Sequence, residues 1–184
     1  MALCDYLITA DINGLDCSAM PAIGAESMGL LYNRAELGKG IIQSGFNITF
    51  QDTRTCDSKA WKIYQSGKQP FNGTQQEMVE GTYQNTITNT VQFVVLKQNE
   101  DFAQQLFALV NGEFVAIIPN KNGTYQVYGA ETGLRCTGAV RELYSDDTLS
   151  GWLITFTEEG ATRGSLFVSD VEFTALQSEE GCEP

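Results

Sequence analysis

Two pairs of adjacent carboxylates, Asp146-Asp147 and Glu158-Glu159, are the residues of this chain best suited to acid–base work. Paired carboxylates cleave glycosidic bonds when both converge on one bond. Neighbours in a strand point to opposite faces and neighbours in a loop face solvent, so each pair reads as a solvated turn rather than a dyad. Ser145-Asp146-Asp147 has the donors of a calcium loop, but no EF-hand spacing with a glycine and a distal glutamate follows it. Gly38-Lys39 and Gly67-Lys68 lie outside any P-loop pattern. Trp61 or Trp152 would serve as the sugar platform of a carbohydrate-binding surface, yet both fall in strand patterns, where core packing is the commoner fate.

The chain has no histidine, which removes the commonest general base near neutral pH and the commonest metal ligand. Ser–His and Cys–His nucleophile pairs cannot be built from it. Cys4, Cys17, Cys56, Cys136 and Cys182 are scattered without a C-x-x-C spacing, which argues against structural zinc. Their odd number argues against a fully paired disulfide framework and fits reduced thiols in a cytoplasm. The sequons at Asn47, Asn72 and Asn122 have no basic and apolar leader before them, and the Asn-Gly steps in two of them read more simply as turns. These features predict a protein that is not an enzyme, with no catalytic residue, no cofactor and no metal.

At 184 residues the chain has room for one domain with a substantial core. Eleven Lys+Arg against 23 Asp+Glu give a net charge of −12, which disfavours tight nucleic-acid binding through a basic patch. No apolar run reaches membrane-spanning length. Eighteen glycines and only four prolines suit many tight turns.

The positioning elements are mostly short strands. The pattern predicts an N-terminal arm over 1–24, a domain over 25–176 and an acidic tail over 177–184. Met28–Leu37 reads as a first strand, Phe46–Phe50 as a second with strict alternation, and Trp61, Ile63 and Gln65 as a third. Gln51–Cys56 reads as a loop. Gln76–Lys97 is strand material in which Thr86, Thr88, Thr90 and Gln92 share one face and Ile87, Val91, Phe93 and Val95 the other, with Asn89 as the exception. One helix is expected over 99–111, capped by Asn99 and stopped by a left-handed Gly112, with Phe102, Leu106, Leu109 and Val110 as its apolar stripe. Phe114–Ile118, Thr124–Tyr128, Leu134–Leu143, Trp152–Thr157 and Leu166–Phe173 complete the strands. Strands around one helix without βαβ alternation indicate a mainly β, antiparallel sandwich or barrel with one flanking α-helix.

The run Tyr125–Leu134, the Ser145-Asp146-Asp147 loop and the Trp152–Phe156 strand together resemble virion structural proteins of tailed phages and prophages of Bacteroidetes hosts. With the strand–helix–strand order from Thr86 to Ile118, the likeness is greatest to a tail tube protein. The resemblance implies a subunit made in the host cytoplasm and resident in the virion tail. There it would self-assemble into hexameric, stacked rings, enclose the tape measure beside other tail proteins, and let DNA pass without specific binding or contact with a membrane. It implies lumen or inter-subunit contact for Thr86, Thr88, Thr90 and Gln92, ring-bridging roles for the arm and the stretch from Gln51 to Gly73, and an acidic lumen. A head or neck position (decoration, connector or tail-completion protein) and a carbohydrate-binding β-sandwich are the alternatives.

Overall fold

The structure is a computed structural model that describes residues 24–37, 41–50, 60–65, 69–96, 100–141, 151–164 and 166–177. The arm before Gly24, the Gln51–Cys56 loop, Asn99, Ser145-Asp146-Asp147 and the tail beyond Gln177 lie outside the described residues.

In chain order the elements are β1 (Met28–Asn33), a 3-10 turn (Arg34–Leu37), β2 (Ile41–Ser44), β3 (Asn47–Phe50), β4 (Trp61–Tyr64), β5 (Gln75–Val79) and β6 (Thr86–Val95). There follow α1 (Glu100–Asn111), β7 (Glu113–Pro119), β8 (Tyr125–Tyr128), β9 (Leu134–Arg141), β10 (Trp152–Ala161), β11 (Leu166–Val168) and α2 (Asp170–Gln177). All the strands belong to one sheet in the order β2-β3-β11-β8-β7-β9-β10-β6-β5, with β1 pairing β7 and β4 pairing β1. Every pairing is antiparallel except β3 with β11. The fold is mainly β, as expected, but the sheet stays open rather than closing into a barrel, and a second helix joins it.

The centre of the sheet is β7, where every residue after Glu113 is buried. Its alternation feeds two cores. Val115 and Ile117 join Leu30, Tyr32, Ile48, Phe50, Val127, Leu166, Val168, Phe173 and Leu176 on one side. Phe114, Ala116 and Ile118 join Leu31, Phe71, Val91, Phe93, Leu134, Ile154 and Phe156 on the other. The sheet therefore bends between β7 and β9 until β6 and β10 lie across β1 and β7, with the Phe156 ring 5.2 Å from Phe114 and 5.5 Å from Phe93. Each such fully buried side chain is worth about 1.5–3 kcal/mol relative to exposure. Phe71 enters this core at φ 55°, an unusual value for a bulky residue, and its ring fits because Gly29 has no β carbon to block it.

Several expectations are corrected. The first strand stops at Asn33, where the 3-10 turn begins. Gln76–Lys97 is broken by a turn at Glu80–Asn85, so β5 and β6 form a hairpin. Val110 is 43 % exposed, and only Leu106 and Leu109 of the described helix stripe pack on the core. Gly112 is not left-handed: Asn111 Nδ2 caps the Phe107 carbonyl at 2.8 Å, and a β carbon at Gly112 would strike the Phe114 ring. The strand expected over Leu166–Phe173 ends at Val168, because Ser169 caps a helix. Its Oγ accepts from Glu172 N at 3.2 Å, and Phe173 and Leu176 then fall on the buried side.

Candidate functional site

The features outside routine core packing gather on β6 and β10. On the outer side of this pair, Thr90 stands opposite Thr157 and Gln92 opposite Thr155. Across the other edges, Gln75 and Glu77 stand opposite Thr90 and Thr88, and Arg135 opposite Thr157. Thr86, Thr88, Thr90 and Gln92 are thus brought onto one surface, as the alternation required, and all four are half-buried. Hydroxyls and amides on this surface bond one another: Gln92 Nε2 donates to Thr155 Oγ1 at 3.2 Å, and Thr137 and Thr157 share a bond at 2.8 Å. Its charged residues along this stretch are Glu77, Glu159 and Arg135, and Arg135 is bridged to Glu113 on β7.

The inner side of the same pair carries a buried polar centre. Glu158 is 2 % exposed and Asn89 3 %. The expectation of a solvated turn at Glu158-Glu159 is corrected: both lie in β10, Glu158 inward and Glu159 outward, as strand alternation dictates. Glu158 Oε2 accepts from Asn89 Nδ2 at 2.7 Å and Gly129 N at 2.8 Å, and Oε1 from Thr132 N at 2.9 Å and Glu131 N at 3.1 Å. Four donors on an acceptor-only group satisfy it inside an apolar surround. A relay of side-chain amides also ends there: Gln126 Nε2 donates to Gln76 Oε1 at 3.2 Å, and Gln76 Nε2 donates to Asn89 Oδ1 at 2.9 Å. The direction of that relay follows from its terminus, since a carboxylate only accepts. Asn89, the one break in the apolar face of β6, exists to reach Glu158.

This centre clamps the 129–133 turn onto β10. Thr132 Oγ1 donates to the Glu159 carbonyl at 2.9 Å, Thr162 N to Glu131 Oε2 at 2.6 Å, and Arg34 to the Glu131 carbonyl at 2.6 Å. Gly129 and Gly133 take φ of 85° and 90°, which lets the turn present its amides inward. With both oxygens accepting two hydrogen bonds at 2 % exposure, Glu158 holds the turn in place. Among the described residues no cluster of three or more Cys, Asp or Glu could hold a metal ion.

The tryptophans separate. Trp152 packs partly on the second core, whereas Trp61 on β4 is 59 % exposed, contrary to the expectation of core packing. Tyr64, 69 % exposed, lies three residues on and therefore on the opposite face of β4, so the two rings form no joint platform. Trp61, Tyr64, Met78, Val79 and Tyr83 nevertheless line the β4 and β5 edges as exposed apolar side chains. Neither the clamp nor the bare edges had a direct sequence signal beyond the parity shared by Ile154, Phe156 and Glu158. Comparison with protein-family models, curated proteins and solved structures finds no match to this chain.

Proposed function

We propose that this chain is a structural subunit of a tailed-phage virion, of the tail tube type, whose work is packing against copies of itself in stacked rings. The observation that carries the reading is the outer surface of β5, β6, β10 and β9, a continuous strand face lined by threonine hydroxyls and glutamine amides that bond one another. Burying neutral hydroxyls and amides that already bond one another costs far less than burying charge. The two halves of the sheet facing each other across Phe93, Phe114 and Phe156, with α1 beside β9, are compatible with a sandwich of that type. The exposed apolar edges at β4 and β5 add association surface. On this reading Thr86, Thr88, Thr90 and Gln92 belong to an inter-subunit contact rather than to an acidic lumen.

Negative-stain microscopy of purified protein, alone and with tail initiator proteins, tests the proposal. Tubes or stacked rings are expected, and Thr88→Glu with Thr90→Glu should abolish them while leaving the monomer folded. Monomers under every condition would sink it. Isolated closed rings or capsid-bound copies would move the protein to the head or neck. The exposure of Trp61 favours a carbohydrate-binding module as the second reading, and a glycan array with binding lost in Trp61→Ala would establish it.

A further inference from the structure

The edge of β6 that faces away from β10 is satisfied in two different ways along its length. From Thr86 to Thr90 it pairs with β5. Beyond Thr90 no described strand continues the ladder, and side chains take over. Gln92 N donates to Thr74 Oγ1 at 3.2 Å. Two residues on, Val94 N donates to Gln65 Oε1 at 2.9 Å, while Gln65 Nε2 donates to the Val94 carbonyl at 2.9 Å. A carboxamide that gives one N–H and takes one N–H from the same residue reproduces what the N–H and C=O of one residue in a neighbouring antiparallel strand would do. Gln65 is only 8 % exposed, and its own N–H is fixed to the Ser27 carbonyl at 2.7 Å.

The strand so covered has the composition of a segment prone to pair with itself. Thr90-Val91-Gln92-Phe93-Val94-Val95-Leu96 has no charge and no proline and is rich in β-branched and aromatic residues. Although the chain carries a net charge of −12, the uncharged segment of a second copy meets no repulsion across this edge. We infer that the Gln65 carboxamide is an autoinhibitory contact: it occupies the place that the Thr90–Leu96 strand of a second copy would take, and so keeps this edge of β6 closed to pairing between chains. The contact is distinct from the threonine face, because edge pairing extends the sheet sideways whereas the face packs above it.

Gln65→Met keeps the side-chain volume and removes both bonds to Val94, and Thr74→Val removes only the acceptor of Gln92 N. Hydrogen exchange of the Val94 amide should accelerate about tenfold or more in the first variant. Sedimentation should show association beginning at a lower concentration, with added β-sheet signal in the infrared. Thr74→Val, which leaves Gln65 in place, should show a smaller shift in the same direction at Gln92, and it carries the test alone if Gln65→Met does not fold. Accelerated exchange without added association overturns the inference, and so does unchanged exchange. Tubes formed by the wild type with no effect of either substitution on association would overturn the guard and leave the tail tube reading standing. Self-association of the variants alone, with a wild type that never assembles, would do the reverse.

Discussion

Replacing Glu158 by glutamine changes one oxygen for an amide at nearly constant shape, and the structure sets what that should cost. One end of the new side chain still accepts from two of the four donors. The other end becomes a donor and faces either Asn89 Nδ2 and Gly129 N or the Glu131 and Thr132 amides. Asn89 could turn its amide over to present an oxygen, but that oxygen now accepts from Gln76, whose own oxygen accepts from Gln126, so the whole relay would have to reverse. Gly129 N, a backbone group, cannot reverse at all. One or two donors therefore lose their partner, at about 1–3 kcal/mol each, which puts Glu158→Gln at about 1–6 kcal/mol of lost stability. Glu158→Ala removes every acceptor and should exceed it, while Asn89→Ala, which strips one donor and leaves the carboxylate three, should cost about 1–2 kcal/mol. Urea unfolding followed by tryptophan fluorescence measures all three, and the Asn89/Glu158 double mutant should show strong coupling. A Glu158→Gln protein within about 0.5 kcal/mol of the wild type would refute the reasoning, since a clamp that works as well with an amide does not depend on a pure acceptor.

Gly29→Ala would set a β carbon 2.8 Å from the Phe71 ring and 3.2 Å from the Ile117 carbonyl, and should cost about 1–3 kcal/mol, visible as a lower unfolding midpoint. Ser169→Ala removes the cap of α2 and should lower stability by about 1 kcal/mol in the same assay. Burial pushes the Tyr128 phenol up to about 12 from 10.0, so the folded state holds this proton more tightly than the unfolded one. Its contribution is complete below pH 10.0 and is lost as pH rises towards about 12, so alkaline unfolding should set in across that window and shift upward in Tyr128→Phe.

Much of this fold was legible because strand alternation is a local property. Ile48–Phe50, Thr86–Gln92 and Phe114–Ile118 each carry their burial pattern in the order of their side chains, and the structure follows it, whereas Phe46, expected inward, precedes β3 and is 60 % exposed. Glu158 was misread because Glu-Glu-Gly resembles a turn, although Ile154 and Phe156 already set its inward parity. Its partners could not be read: three are backbone amides of a turn reached only through folding. At Leu166–Phe173 alternation alone suggested a strand, but Ser169 caps a helix by accepting from Glu172 N, and Phe173 and Leu176 gain a core to enter. Gln65 looked like the next residue of a strand, and only tertiary structure shows its amide standing in for one.

The parallel contact between β3 and β11 has a consequence for the order in which the molecule can be made. Phe167 N reaches the Phe46 carbonyl at 2.8 Å, Arg163 reaches the Gly45 carbonyl at 2.8 Å, and Phe50 N reaches Glu172 Oε1 at 3.0 Å across 122 residues of chain. The β2–β3 hairpin is local and closes early, but the surface it rests on is made some 122 residues later. At about 5–20 residues per second, Ile48 and Phe50 wait roughly 6–24 s on a growing chain before Val168, Phe173 and Leu176 can cover them. Completion of this core thus waits on the 166–176 segment, and a ribosome stalled before Leu166 would hold a chain with one of its two cores unroofed.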